Sequence, residues 1–306
     1  MRAEIATAVA AVERELSPEM VAKTQAIYAP YHATEPYDGV TVTRDLHYGA
    51  AARQRLDVFS TDAAGRPVVV FIHGGGFTRG DKSQPGSPYY DNVGLWAVRS
   101  GFVGVLMTYR LAPDVAWPAG ADDVDAALRW VAAHAHEFGG DADRIVVVGQ
   151  SAGAVHAATA FAIVRDGATQ GIRGLALLSG IYDFLPFPGA PGFVSYFGDD
   201  RDRLAEISPL RTLAQTDLPL LFAVAEYDPP PFHAQAAAVV AAFRDQRGTF
   251  PNLVYLPGHN HISEIVHLNA DVDDPLLDLH LRAFVTACCG SRQRAGHSSS
   301  NVTVKR

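Results

Sequence analysis

Six short apolar runs set the terms for this chain: VVVFI at 68–72, FVGVLMTY at 102–109, IVVVG at 145–149, LALLSG at 175–180, LLFAVA at 220–225 and LVYL at 253–256. A half-exposed strand alternates apolar and polar residues, whereas an uninterrupted apolar run has to be covered on both faces. Helical stretches separate these runs. Val124, Ala127, Leu128, Val131, Ala132 and Ala135 recur at helical spacing, with Asp122 and Asp123 at the start and Gly139-Gly140 as the stop. Further helices are expected from Ser151 to about Arg165, from Phe232 to Arg244 and from Leu276 to Cys288. Strands alternating with crossover helices specify the α/β class, with a mostly parallel central sheet flanked by helices.

Ahead of this pattern, residues 3–28 read as helical and amphipathic, and VTVTRDLHYG and QRLDVF alternate with the strand period, as an antiparallel pair does. The expected organisation is an N-terminal helical arm over 1–38, one α/β domain over 39–290 and a Ser-rich disordered tail over 291–306. The arm is either a partial lid or a dimer contact. At 306 residues and 48% hydrophobic content, the chain has ample material for one large core. A net charge of −8 supplies no basic field for phosphates, so nucleic acid is not an expected partner. Charges interrupt the first twenty residues, and no apolar run reaches membrane-spanning length, so a cytoplasmic protein is expected. Cys288 and Cys289 are adjacent and cannot staple distant parts of the fold.

Gly149-Gln150-Ser151-Ala152-Gly153 stands directly between the strand IVVVG and a helical pattern. A serine raised on a sharp strand-to-helix turn needs glycine two residues to either side, because a Cβ there meets the adjoining element. The first helical N–H groups, beginning with Ala152, then face a reacting carbonyl. The plainer reading is a Gly-Ser connection and nothing more; its place between strand and helix favours the nucleophile. His73-Gly74-Gly75-Gly76-Phe77 leaves the strand VVVFI at the end where open α/β sheets bind ligands, and Gly75 and Gly76 are the expected donors to an oxyanion. No Gly-Lys-Ser/Thr ending or G-x-G-x-x-G run supports phosphate binding instead.

HGGGF, YRLAP at 109–113, WPAGADDVDAALRWV and GQSAGA, in that order, resemble the α/β-hydrolase carboxylesterases of the hormone-sensitive lipase-like and kynurenine formamidase-like branches over roughly residues 45–290. The resemblance implies an eight-stranded, mostly parallel sheet and a Ser-Asp-His triad. It also implies an oxyanion hole formed by the second and third glycines with the residue after the serine, and a His73 that organises its loop without acting as base. Gln150 replaces the Asp common in the lipase-like branch, which tilts the likeness toward the formamidase-like one.

A serine nucleophile needs a histidine and a carboxylate, in the chain order Ser, Asp or Glu, His. Glu226 and Asp228 end the strand LLFAVA, and alternation does not separate them. The resemblance selects Asp228, which precedes Pro229 and a helix start, although a carboxylate there also suits a plain helix cap. His259 and His261 follow the strand LVYL, and the resemblance selects His261. The two imidazoles could alternatively ligate a metal, but no HExxH, cysteine pair or dense carboxylate cluster completes such a site, so neither metal nor cofactor is expected. His156 is expected to be packed, and His47, His134, His136, His233, His267 and His280 to face solvent or satisfied contacts.

Residues 181–210 form an insertion rich in Phe, Tyr, Pro and Gly, in which the prolines at 186, 188 and 191 break any long helix. A loop or lid is expected, with Phe77, Phe184, Phe187, Phe193 and Tyr196 as substrate-wall candidates and plain core packing as the alternative. The expected function is hydrolysis of a small-molecule carboxylic ester through an acyl-enzyme, with short acyl groups preferred. An arylformamidase-type amide hydrolase and a catalytically inactive hydrolase-fold receptor are the alternatives.

Overall fold

The computed structural model describes residues 2–164, 171–187 and 189–290. The expected tail, the end of the elbow helix at Arg165 and Pro188 lie outside the described residues. Eight strands form one sheet: β1 (Thr41–His47), β2 (Arg55–Ser60), β3 (Arg66–Ile72), β4 (Val103–Met107), β5 (Gly140–Gln150), β6 (Ile172–Leu178), β7 (Leu220–Ala225) and β8 (Leu253–Leu256). Their order is β1-β2-β4-β3-β5-β6-β7-β8. β2 runs antiparallel to both its neighbours, and every other pairing is parallel.

The apolar runs are continuous because both faces are covered. Val68, Val70 and Ile72 of β3 enter one core layer, while Val69 and Phe71 enter the other, and Ile145, Val147 and Val146, Val148 of β5 divide in the same way. The chain passes from β3 to β4 on one side and returns to place β5 on the other. That reversal opens a crevice at the carboxyl ends of β3 and β5, where open α/β sheets bind their ligands.

The N-terminal segment is helical in two pieces. It forms α1 (Ala3–Ala10) and α2 (Pro18–Tyr28), because Ser17 starts a new helix: its side chain accepts from the Met20 N–H, and Pro18 occupies the first turn. Ile5, Val9, Met20 and Tyr28 are buried in the same core layer as Ile262, Ile265 and Val266. The apolar face of the arm is thus covered within the chain. α3 (Asp91–Arg99) precedes β4 and α4 (Ala119–His134) precedes β5. α5 (Ala152–Thr159) leaves the elbow.

The insertion is more ordered than a loop. It contains α6 (Pro191–Phe197) and α7 (Arg201–Glu206), followed by α8 (Leu210–Gln215). Pro191 starts the first, Gly198 ends it with φ 80°, and Asp200 caps the second through the N–H groups of Asp202 and Arg203. α9 (Pro230–Arg247) follows β7, α10 (Ser263–Val266) is a single turn after β8, and α11 (Leu276–Cys289) closes the described fold. Among the described residues, no helix is long and apolar enough to cross a membrane.

Candidate active site

Ser151 sits between β5 and α5 with φ 54° and ψ −122°, a conformation costly for a residue with a side chain and held here by the elements on either side. The flanking glycines are sterically required. A Cβ on Gly149 would lie 2.6 Å from the Gly153 carbonyl oxygen, and one on Gly153 would lie 2.0 Å from that of Ile72. The turn lifts the hydroxyl into the crevice, where Ser151 Oγ donates to His261 Nε2 at 2.8 Å. His261 Nδ1 donates in turn to Asp228 Oδ1 at 2.6 Å. Serine, imidazole and carboxylate, far apart in sequence, thus form one hydrogen-bonded line.

The rival residues stand elsewhere. Glu226 Oε2 accepts from the Gly258 N–H at 2.7 Å and holds the turn after β8. The Nε2 atom of His259 lies 3.0 Å from Asp274, and its Nδ1 lies 3.1 Å from Ser263 Oγ, so both ring nitrogens already have protein partners. His259, His267 and Asp274 bring ligand-capable atoms within 4.8 Å of one another, but His261 is not of that group. His267 is buried, with its Nδ1 donating to the Ser263 carbonyl, whereas a solvent-facing or fully satisfied position was expected; its Nε2 has no hydrogen-bond partner.

The glycine loop follows β3 into the same crevice. Gly75 has φ 134°, and a Cβ there would lie 2.0 Å from the Arg79 carbonyl oxygen; Gly76 has φ 59°. Both line the cavity with Ala152, whose N–H opens α5 and has no intrahelical acceptor. Beneath the loop, His73 is fully buried, donates from Nδ1 to the Gly74 carbonyl at 2.6 Å and stacks on Tyr109 at 4.5 Å. Burial pulls its pKa down to about 4, which keeps the ring neutral. The YRLAP segment supports this loop through the Tyr109 hydroxyl, which donates to the His73 carbonyl at 2.9 Å. Arg110 forks onto Asp123 of α4 with its Nη2 at 2.7 Å, tying the segment to the crossover helix.

The cavity has a volume of about 650 Å³, with Ser151, His261, Gly75, Gly76 and Ala152 in its wall. Of the wall candidates, Phe77, Phe187 and Phe193 line it together with Phe232 and Ile181. Phe184 and Tyr196 do not. Phe184 is buried 4.6 Å from Phe197, and Tyr196 stacks behind Phe77 at 5.3 Å with its hydroxyl accepting from the Gly120 N–H. Both belong to the packing that supports the wall. His156 is buried in this aromatic layer, edge-on to Tyr109 at 4.4 Å, and burial lowers its pKa to about 3.

Several contributors were not singled out from the sequence. Leu16, Ser17, Val21 and Gln25 of the arm line the cavity. Phe232, in the first turn of α9, lies 4.3 Å from the His261 ring. Asn260 holds the histidine loop: its Oδ1 accepts from the N–H groups of Ile262 and Ser263, and its Nδ2 donates to Thr24 of α2 at 2.9 Å. Position at the carboxyl end of a parallel strand is a usable signal for such residues, and Ser179, just past β6, carries it. The contribution of a distant helix such as α2 leaves no local signal.

Fold, elbow and glycine loop define an α/β-hydrolase. Within that class its sequence likeness is to esterases and carboxylesterases. A family model, BD-FAE, matches residues 56–171. Esterase LipQ of Mycobacterium tuberculosis is 29% identical over 246 residues, covering 73% of this chain and 58% of the relative. Carboxylesterase NlhH of the same organism is 39% identical over 135 residues, 44% of this chain and 38% of that protein. The matched part of the chain therefore spans less than two thirds of the length of these relatives. Among solved structures, esterase B of Lactobacillus rhamnosis superposes with a TM-score of 0.72 at 21% identity, covering 88% of this chain and 93% of that one. A Pyrobaculum calidifontis esterase superposes at 0.68 and 24% identity, covering 93% and 96%.

Proposed function

We propose that this protein is a serine carboxylesterase that hydrolyses small esters with short acyl groups through an acyl-enzyme. The observation that carries the reading is the line from Ser151 through His261 to Asp228, with contacts of 2.8 and 2.6 Å. His261 Nε2 takes the Ser151 proton as Oγ attacks the ester carbonyl carbon. The N–H groups of Gly75, Gly76 and Ala152 receive the oxyanion, and Asp228 stabilises the imidazolium. The imidazolium then protonates the departing alkoxide, leaving the acyl group on Ser151. A water molecule, deprotonated by the same imidazole, attacks that acyl carbon, and collapse of the second tetrahedral species returns the proton to Ser151 and releases the acid.

The apolar wall and the cover formed by α2 and α6 favour a compact substrate, and the names of the esterase relatives agree with ester chemistry. A cytoplasmic location is part of the same proposal, and cell fractionation tests it. The chemistry is tested by intact mass after treatment with a fluorophosphonate, together with turnover of a panel of p-nitrophenyl esters and formamides. We expect one adduct per chain, absent from Ser151→Ala, and a fall in turnover of about a million-fold in that variant. Stoichiometric labelling at another residue, or a Ser151→Ala protein that keeps a tenth of its activity, would overturn the assignment.

A further inference from the structure

A second carboxylate lies behind the triad, and the mechanism above does not use it. Glu264, in the first turn of α10, is fully buried, as is Asp228, and the two are bridged by one hydroxyl: Ser179 Oγ lies 2.6 Å from Asp228 Oδ2 and 2.7 Å from Glu264 Oε2. A serine hydroxyl has one proton to donate. Two ionised carboxylates cannot both receive it, so one of the two short contacts needs a proton from the carboxyl itself.

The surrounding donors decide which carboxyl holds it. Asp228 accepts from His261 Nδ1 at 2.6 Å and from the Ala225 N–H at 2.8 Å, besides the serine. Glu264 receives, apart from that serine, the Gln150 Nε2 at 2.9 Å, a group that also donates to the His261 carbonyl at 2.8 Å. The titratable groups that face Glu264 are Asp228 after β7, Tyr182 after β6 and Tyr90 before α3, with His261 in the adjoining loop. Negative charge is therefore far better solvated by protein dipoles at Asp228 than at Glu264.

We propose that Glu264 is a neutral carboxylic acid that donates its proton to Ser179 Oγ, which donates its own to Asp228 Oδ2, so that Ser179 and Glu264 are positioning residues that fix the anion on the triad aspartate. The idea rests on the reading of Asp228 as the triad acid. No proton leaves this chain during turnover; its role is to hold the Asp228 carboxylate in the plane that His261 Nδ1 requires. Burial and the Asp228 charge both push the Glu264 carboxyl well above the usual carboxylate range, in keeping with that state. Gln150, the elbow residue that departs from the lipase-like pattern, is the link that ties Glu264 to the His261 backbone.

Infrared spectroscopy reads the proton without turnover. At pH 7 the protein should show a carboxylic-acid C=O stretch, shifted in D₂O, that Glu264→Gln abolishes. A wild-type protein without the band, or a band that survives in Glu264→Gln, overturns the proposal. Kinetics read the positioning: Glu264→Leu should lower kcat by about ten- to a hundred-fold, the value of one or two hydrogen bonds to a charged group, with little change in KM. Glu264→Gln keeps a donor for Ser179 and should recover most of that loss, with the acid limb of kcat/KM at the wild-type pH. A limb displaced downward by a unit or more in Glu264→Gln would mean that a negative charge had been removed, and it too overturns the proposal. A wild-type protein that shows the band but no fluorophosphonate adduct would sink the esterase reading and leave the proton assignment standing.

Discussion

Two histidines two positions apart take opposite parts, and a side-by-side substitution exposes the difference. His261 faces Ser151 and Asp228; His259 faces Asp274 and Ser263. His261→Ala should lower kcat nearly as far as loss of the serine, with the folded state largely retained. His259→Ala should keep kcat within about ten-fold while losing about 1–3 kcal/mol of stability, because Asp274 loses its imidazole partner and Ser263 keeps only its contacts to Asn260. Turnover and urea denaturation on the two variants check this, and reversed results would move the base to His259. The same resolution separates Glu226 from Asp228: strand alternation puts both on one side, and only the turn that brings Gly258 to Glu226 and His261 to Asp228 divides their work.

Among the elements, the insertion and the arm set the size of the cavity. Phe187 is half-buried and lines it, whereas Tyr196 is fully buried behind Phe77. Phe187→Ala should therefore shift the acyl-length preference upward, raising the ratio of octanoate to butyrate turnover by about three- to ten-fold, since each methylene accommodated is worth roughly 0.8 kcal/mol. Tyr196→Phe should leave that ratio alone and cost about 1 kcal/mol of stability through the lost acceptor for the Gly120 N–H. A chain-length series on p-nitrophenyl esters with thermal melts decides the matter. An unchanged profile in Phe187→Ala would show that the wall lies elsewhere. The pattern of prolines and aromatics announced a cover; it did not announce short helices, because each of those begins at a proline or an aspartate cap and ends within two turns.

Across the whole molecule, buried neutral imidazoles tie stability to pH. His73 and His156 have pKa values lowered to about 4 and about 3 by burial, while in the unfolded chain they titrate near 6.5. Between those values the unfolded chain binds protons that the folded one refuses. Stability is thus fully present above about pH 6.5 and is lost as pH falls toward 4, at up to about 1.4 kcal/mol per pH unit for each ring. Glu264 acts in the opposite sense, since the fold keeps its proton where the unfolded chain releases it, and stability falls as pH rises above the ordinary carboxylate range. Urea denaturation at pH 5 and pH 6 should show a shallower acid-side slope in His156→Leu than in the parent, and equal slopes would mean that this ring is protonated in the fold.

The sequence by itself determined the class of fold and the places where chemistry gathers. Continuous apolar runs demanded a sheet covered on both faces, and the elbow glycines and Gly75 of the loop after β3 occupy positions where a Cβ would strike backbone. Those are local constraints, legible in any stretch of chain that must obey them. The choice of Asp228 and His261 came through likeness to known esterases, since spacing alone left Glu226 and His259 open. The tertiary structure decided what depends on distant segments meeting. It set α2 beneath the histidine loop through Thr24 and Asn260, and it withdrew Phe184 and Tyr196 from the wall. It also joined Gln150, Ser179 and Glu264 behind the triad. A buried polar group signals itself only through its partners, and these partners follow three different strands, β5, β6 and β8.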